Sequence, residues 1–141
     1  MSDISVIVYS RSGNTRKVAD AIAEELGVKA VDVKASHPDD AKIMFLGTGT
    51  YGSKAGEDMM KFIESGNFTG RKVAIFYTSM NPHGNQKMEN TLSDALKQKG
   101  AAILGIYHCQ GKTFLLFNRS HPTQEELDNA KKFAKEMIKS S

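Results

Sequence analysis

The chain has 141 residues, a formal net charge of +3, 40% hydrophobic residues and one cysteine. This length fits a single domain, residues 1–141, with its own core, and one cysteine excludes an internal disulfide, which favours a reducing cytoplasmic location. The apolar runs are too short to span a membrane, and the basic residues alternate with acidic ones, so we expect neither a membrane protein nor a nucleic-acid-binding protein.

Five apolar runs predict β-strands, at residues 4–9, 31–33, 43–46, 73–77 and 101–107. The four longer runs are almost continuously apolar, which is typical of parallel strands covered on both faces. The run at 31–33 is short and alternating, as expected of an edge strand.

Four amphipathic segments predict helices between and after these strands, the first three of which end near Gly27, Gly66 and Gly100. The last has Thr123 at its start and Glu126 three residues later, the pattern of a capping box. Strands that alternate with helices predict a doubly wound parallel α/β sheet.

Two connections differ from the regular pattern. Residues 34–41 are too few to cross the sheet with a full helix. Residues 113–118 predict a small strand or flap between the fifth strand and the last helix. The longer stretch 107–122 contains a His-Cys pair but no further ligands at zinc spacing, so we predict no metal site there.

The loop after the first strand has the composition of a phosphate site. It combines hydroxyls, an amide and a glycine at the start of a helix, where main-chain N–H groups and the helix dipole favour an anion. Its residues are Ser10, Arg11, Ser12, Gly13, Asn14 and Thr15. It is not a nucleotide-triphosphate P-loop, because no Gly-Lys-Ser/Thr follows at the required spacing. A simple helix N-cap is the alternative interpretation.

The segment Gly47-Thr48-Gly49-Thr50-Tyr51-Gly52 fits the dinucleotide pattern G-x-G-x-x-G. That interpretation requires a helix at the third glycine and an acidic residue at the end of the next strand. Four residues intervene before the helix, and the next strand ends in Thr78-Ser79. We therefore do not predict an NAD site.

Both loops resemble those of flavodoxins, in register and over nearly the whole chain. Ser-x-Ser-Gly-Asn-Thr is similar to the flavodoxin phosphate loop, and Gly-Thr-Gly-Thr-Tyr-Gly is similar to the loop that stacks an aromatic ring on the flavin. The resemblance implies a short-chain flavodoxin-like fold with five parallel strands in the order 2-1-3-4-5. It also implies non-covalently bound FMN and one-electron transfer between redox partner proteins.

The resemblance further implies the roles of individual residues. Residues 10–15 would hold the FMN phosphate, Tyr51 would stack on the isoalloxazine, and the Gly52 peptide could flip toward the flavin N5. The loop at residues 78–84 would line the other side of the ring. The residues predicted there are Thr78, Ser79, Met80, Asn81, His83 and Gly84, and those of the middle segment are Thr48, Gly49, Thr50, Tyr51 and Gly52.

The sequence departs from the flavodoxin pattern in charge and in one aromatic position. Residues 78–84 lack a second aromatic residue, so Met80 or His83 is a candidate to cover that flavin face. Lys54 stands where acidic residues are usual, and the isoelectric point is about 8.9. With Arg11 and His83 nearby, we predict a second reduction potential less negative than that of an acidic flavodoxin.

Two other functions compete with the electron carrier. An FMN-dependent NAD(P)H or quinone oxidoreductase on the same fold is the main alternative, because basic residues in the C-terminal half could attract an anionic nicotinamide cofactor. A receiver domain is disfavoured, because the first and third strands lack the carboxylates that bind magnesium. We predict no catalytic side chain, and a monomer or weak dimer.

Overall fold

The computed structural model describes residues 3–11, 13–35, 41–81, 83–110 and 122–141. Six strands lie within these residues: β1 (Ile4–Tyr9), β2 (Ala30–Asp32), β3 (Ile43–Tyr51), β4 (Lys54–Ala55), β5 (Lys72–Ser79) and β6 (Ala102–Gln110). The same residues contain four α-helices, α1 (Asn14–Leu26), α2 (Glu57–Ser65), α3 (Gln86–Gln98) and α4 (Gln124–Ser140), and a 3₁₀ turn that covers Val33–Ala35. The predicted flap at 113–118 and most of the connection 34–41 lie outside the described residues.

Five strands form one parallel sheet in the order β2-β1-β3-β5-β6. This confirms the predicted fold and the predicted order of the five parallel strands. The strand order reverses between β1 and β3, whose carboxyl ends meet where Tyr9 pairs with Thr48. Ligands of open α/β sheets bind at such a reversal, so the topology directs attention to this edge.

The prediction for residues 47–52 as a loop was wrong in its boundary. Strand β3 continues to Tyr51, because its last residues pair with the antiparallel strand β4 through Thr50–Ala55 and Tyr51–Lys54. Gly47 therefore lies inside the sheet, where any Cβ would clash with the Phe76 ring on the neighbouring strand. Likewise, β5 extends to Ser79, so Thr78 and Ser79 are strand residues and not loop residues.

Each face of the sheet has its own hydrophobic core. Helices α2 and α3 cover one face through buried residues such as Met59, Ile63 and Leu92. Helices α1 and α4 cover the other face, where Ile22 and Ala130 are fully buried. Because both faces are covered, the strands carry apolar residues on both sides, as predicted.

The helix ends follow the sequence signals. Gly27 ends α1 in a left-handed conformation with φ of 72°, and Thr123 begins α4 with the complete capping box that pairs it with Glu126. Among the described residues, no helix combines the length and the apolar character needed to cross a membrane.

Candidate functional site

The carboxyl ends of β1, β3 and β5 bring the three predicted segments together. Tyr9 pairs with Thr48 and Gly49 pairs with Thr78, so the segments that follow these strands begin side by side. All the predicted site residues except Ser12 belong to the described part of the chain.

The first loop folds back on itself at the start of α1. The Gly13 N–H donates to the Ser10 hydroxyl oxygen over 3.0 Å, and Gly13 has φ of 90°. Gly13 is also the N-cap of α1 and has no side chain with which to cap the helix. Asn14 and Thr15, in the first turn, are buried. An anion at this position would meet N–H groups that most helices satisfy with a capping side chain.

Threonine hydroxyls join the three strand ends. The Thr15 and Thr78 hydroxyls are 2.8 Å apart in a buried contact, and the Thr50 hydroxyl donates to the Thr78 carbonyl over 2.9 Å. The Thr48 hydroxyl accepts from the Gly56 N–H over 2.8 Å and donates to the Gly49 carbonyl. The hydrogen bonds of these hydroxyls fix the segments relative to one another. These bonds within the protein explain why threonine stands at these positions.

A tight hairpin presents Tyr51 at the site. Gly52 and Ser53 connect β3 to β4 with φ values of 61° and 65°, and Ser53 is the only non-glycine residue with positive φ among those described. Two consecutive positive φ values are the geometry of a type I′ turn. We did not predict this hairpin, although a Gly-Ser pair between two short extended runs is a hairpin signal.

Tyr51 lies across the first loop and is held there by Arg11. The Arg11 main-chain N–H donates to the Tyr51 hydroxyl over 3.2 Å, and the Arg11 guanidinium carbon lies 4.2 Å from the centre of the Tyr51 ring. The Arg11 side chain also donates to the Tyr9 hydroxyl over 3.2 Å, and the edge of one tyrosine ring meets the face of the other. Burial raises the pKa of Tyr51 above its ordinary value.

The position of Tyr51 explains why residue 49 is a glycine, and it limits how a flat ligand can stack on the Tyr51 ring. A Cβ at Gly49 would come within 2.5 Å of the Tyr51 hydroxyl. The guanidinium of Arg11 covers one face of the Tyr51 ring. A flat ligand that stacks on Tyr51 must use the other face or displace the guanidinium. The part played by the Arg11 side chain could not be predicted, since nothing in the sequence places it on a ring 40 residues away.

The third segment turns sharply after β5. The Asn81 side-chain oxygen accepts from the His83 N–H over 2.9 Å, and the Asn81 carbonyl accepts from the Ser79 hydroxyl over 2.8 Å and from the Gly84 N–H over 3.1 Å. Asn81 thus organises the turn, while the Met80 side chain is 53% exposed. Met80 and His83 both lie at the surface beside the site, where either could cover a ligand.

A buried polar network that we did not predict lies beneath this third segment. The Tyr77 hydroxyl accepts from the Asn85 N–H over 2.8 Å and bonds to the Glu89 carboxylate. The Tyr77 ring stacks on His108 at a centroid distance of 5.4 Å. Gly84, with φ of 82°, passes so close that a Cβ would lie 2.5 Å from the Tyr77 hydroxyl. Tyr77 therefore anchors the end of the third segment to the start of α3.

Replacing Tyr77 with phenylalanine is expected to lower the free energy of unfolding by about 1–3 kcal/mol, because the Asn85 N–H and the Glu89 carboxylate both lose a partner. Urea unfolding of the purified variant measures this change. Tyr107→Phe serves as the control, because it also removes one hydroxyl, but that hydroxyl bonds a main-chain carbonyl, at 2.6 Å, and the Cys109 thiol rather than a carboxylate. Equal losses for the two variants would contradict the importance of the Glu89 contact.

Cys109 is a buried thiol on β6 rather than a reactive one. It is 5% exposed, and burial raises its pKa to about 12. At pH 8 the native thiol is almost entirely protonated, whereas the unfolded thiol, with an ordinary pKa near 8.5, is partly ionised.

We expect Ellman's reagent to label the native protein at least about 100 times more slowly than the protein in guanidinium chloride. Comparable rates would contradict this assignment.

Comparison with known proteins identifies the family. Residues 5–116 match the family described as the flavodoxin domain. The chain belongs to the flavodoxin family. It is 30% identical over 134 residues to Flavodoxin 1 of Azotobacter vinelandii, covering 81% of this chain and 75% of the relative. It is also 32% identical over 136 residues to an uncharacterised protein of Methanocaldococcus jannaschii, covering 89% of this chain and 91% of that protein.

The fold agrees with this assignment. The structure of a variant flavodoxin from Fusobacterium nucleatum, solved bound to flavin mononucleotide, superposes with a TM-score of 0.73 at 18% identity, covering 97% of this chain and 95% of that one. The predicted family and fold are thus confirmed, and the family is one of flavin-binding electron-transfer proteins. In flavodoxin terms, the carboxyl edge described above is the candidate flavin site.

Proposed function

We propose that this flavodoxin-family protein binds FMN without a covalent bond and carries single electrons between redox partner proteins. The observation that supports this best is the convergence of three segments at the strand-order reversal. There, a tyrosine ring lies across a helix start that has no side-chain cap. A phosphate and a flat aromatic ring are the two chemical groups that such a surface accommodates together.

The residues present fit the parts of FMN. The loop from Ser10 to Thr15 offers hydroxyl and main-chain donors for the phosphate at the positive end of the α1 dipole. Tyr51 offers an aromatic face, and Gly52, at the tip of the hairpin, has a backbone that can change conformation at little cost. The segment from Thr78 to Gly84 would border the remaining side of the ring.

The chemistry would belong to the cofactor, and the protein would bind and tune it. FMN supplies reversible electron transfer when bound. The chain's part is to hold the phosphate, to exclude water from one ring face with Tyr51, and to set the charge around the ring. Arg11 is exposed and lies over the Tyr51 ring, and Lys54 is exposed in the adjacent hairpin.

The competing function, an NAD(P)H or quinone oxidoreductase, can be separated from the carrier by one experiment. The FMN-loaded protein is mixed with NADPH and, separately, NADH under argon, and flavin absorbance is followed near 450 nm. We expect no bleaching beyond a free-FMN control, whereas photochemical reduction should produce a stable one-electron-reduced form. Rapid bleaching by either nucleotide, with a quinone then turned over, would establish the oxidoreductase instead.

A further inference from the structure

We propose that the surface around Tyr51 and Met80 docks an acidic electron-transfer protein, which Arg11, Lys54 and Lys87 attract. This inference rests on the proposed function, because it names the class of partner that would meet the flavin site. It also implies a partner with a negatively charged surface, whereas an acidic flavodoxin suits a partner with a positively charged surface. The charges at the carboxyl edge of the sheet that are not already neutralised determine which partner fits.

None of the three cations at this edge forms a salt bridge with a carboxylate among the described residues, although Glu57 lies close enough to Arg11 to interact with its charge. Arg11 is exposed, and its guanidinium contacts only the Tyr9 hydroxyl and the Tyr51 ring in the described structure. Lys54 follows the hairpin turn, and Lys87 lies in the first turn of α3; both are exposed. The positive charge of these residues is therefore directed to solvent.

The acidic residues at the same edge, by contrast, are engaged. Glu57 pairs with Lys61 at 3.4 Å, and Asp58 pairs with Lys34 at 3.4 Å. Glu89 bonds to the buried Tyr77 hydroxyl. The two acids at the beginning of α2 are thus paired with lysines of this chain, whereas Glu89 keeps its negative charge, because a tyrosine hydroxyl is neutral. Three exposed cations against this one half-buried carboxylate leave the edge with an excess of positive charge.

A groove carries two of these positive charges, those of Lys54 and Lys87, beside an apolar strip. It lies between the hairpin, α2 and α3, has a volume of about 520 Å³, and is bordered by Lys54 and Lys87 together with Glu57 and Glu64. Ala55 and Met60 supply apolar surface within it. Met80 adds an exposed apolar side chain on the segment after β5. An apolar centre with charged groups around it is the usual composition of a protein–protein interface.

The size of the charged surface favours a protein over the other polyanions. A nucleic acid is usually held by about six to ten phosphate contacts, and a lipid surface by clusters of about four to eight basic residues with apolar anchors. Three cations around a small apolar centre match neither. They suit an acidic patch on a protein that must approach the flavin site to exchange an electron.

The test compares two double charge reversals. Lys54→Glu/Lys87→Glu changes the proposed surface, and Lys72→Glu/Lys139→Glu makes the same change of net charge elsewhere. Lys72 begins β5, at the opposite end of the sheet, and Lys139 lies in the last turn of α4; both are exposed. Reduced, FMN-loaded protein is oxidised by ferricyanide in a stopped-flow instrument at low and high ionic strength.

We expect wild type and the Lys72/Lys139 variant to react several-fold faster with ferricyanide at low ionic strength than at high, because the local positive field attracts the anion. The Lys54/Lys87 variant should lose this acceleration. Equal effects of both double variants, or an effect of neither, would overturn the proposal. If the protein cannot be loaded with FMN, the proposed function is contradicted before the variants are compared. This result is distinguishable from a failure of the docking proposal.

A second measurement does not depend on the flavin. A ten-residue glutamate peptide is titrated into ¹⁵N-labelled protein, and amide shifts are followed by NMR. We expect shifts that cluster at Arg11, Lys54 and Lys87 and disappear in the Lys54/Lys87 variant. Shifts centred near Lys72, no shifts, or equally tight binding of a short DNA duplex at the same residues would overturn the assignment to an acidic protein.

Discussion

Replacing Gly13 with alanine is expected to weaken FMN binding by about tenfold to a hundredfold. Gly13 has φ of 90° at the turn between the first loop and α1, a conformation that a residue with a Cβ adopts only with strain. The loop can relieve this strain by rotating peptide planes whose N–H groups, in the proposed function, would bind the phosphate. Misaligning one hydrogen bond to a charged group costs about 1.5–3 kcal/mol, which corresponds to this loss of affinity.

Gly27→Ala is the matched control for this prediction. Gly27 lies at the other end of the same helix, also has positive φ, and like Gly13 has open space where a Cβ would be. Both substitutions should lower the free energy of unfolding by a similar amount, about 1 kcal/mol. Only Gly13→Ala should raise the dissociation constant in a flavin-fluorescence titration. Equal affinities of the two variants would show that the first loop does not bind the phosphate.

The second large effect concerns the reduction potential. Replacing Arg11 and Lys54 with glutamine should make the second reduction potential, which forms the fully reduced flavin, more negative by tens of millivolts. A positive charge on the order of 10 Å from the negative charge of the reduced ring contributes roughly 0.4–1.7 kcal/mol, depending on the local dielectric. About 1.4 kcal/mol corresponds to 59 mV for a one-electron couple. For the same reason, the wild-type potential should be less negative than that of an acidic flavodoxin.

Spectroelectrochemical titration measures both expectations. The variant Arg11→Lys/Lys54→Arg keeps both charges while changing both side chains, and it should keep the wild-type potential to within about 20 mV, since charge rather than shape sets this effect. A glutamine variant with an unchanged potential would contradict the electrostatic account. So would a wild-type potential as negative as those of acidic flavodoxins.

The fold was predictable because its signals are local and repeated. Almost continuous apolar runs such as Ile4–Tyr9 are typical of strands covered on both faces in a parallel sheet. Glycines after amphipathic segments fixed the ends of helices, as Gly27 shows. The boundary errors at β3 and β5 arose because strand length depends on pairing with neighbours. Residues 47–49 are extended because they pair with β5, and residues 50 and 51 are extended because they pair with β4.

The candidate site was predictable in its segments but not in its side-chain contacts. Hydroxyls, glycines and one tyrosine after successive strands pointed to the carboxyl edge, where the topology brings them together. The stacking of Arg11 on Tyr51 and the anchoring of the third segment by Tyr77 are contacts between residues distant in sequence. Sequence patterns carry information about spacing along one element, and such contacts depend on how separate elements pack.

The most direct test of the account is whether the purified protein binds FMN, with Tyr51 as part of the site. We predict a yellow protein that releases one FMN per chain on denaturation. The protein stripped of flavin should quench FMN fluorescence with one-to-one stoichiometry, and Tyr51→Ala should bind FMN more weakly. A protein that is colourless when purified and leaves FMN fluorescence unchanged would contradict the central claim.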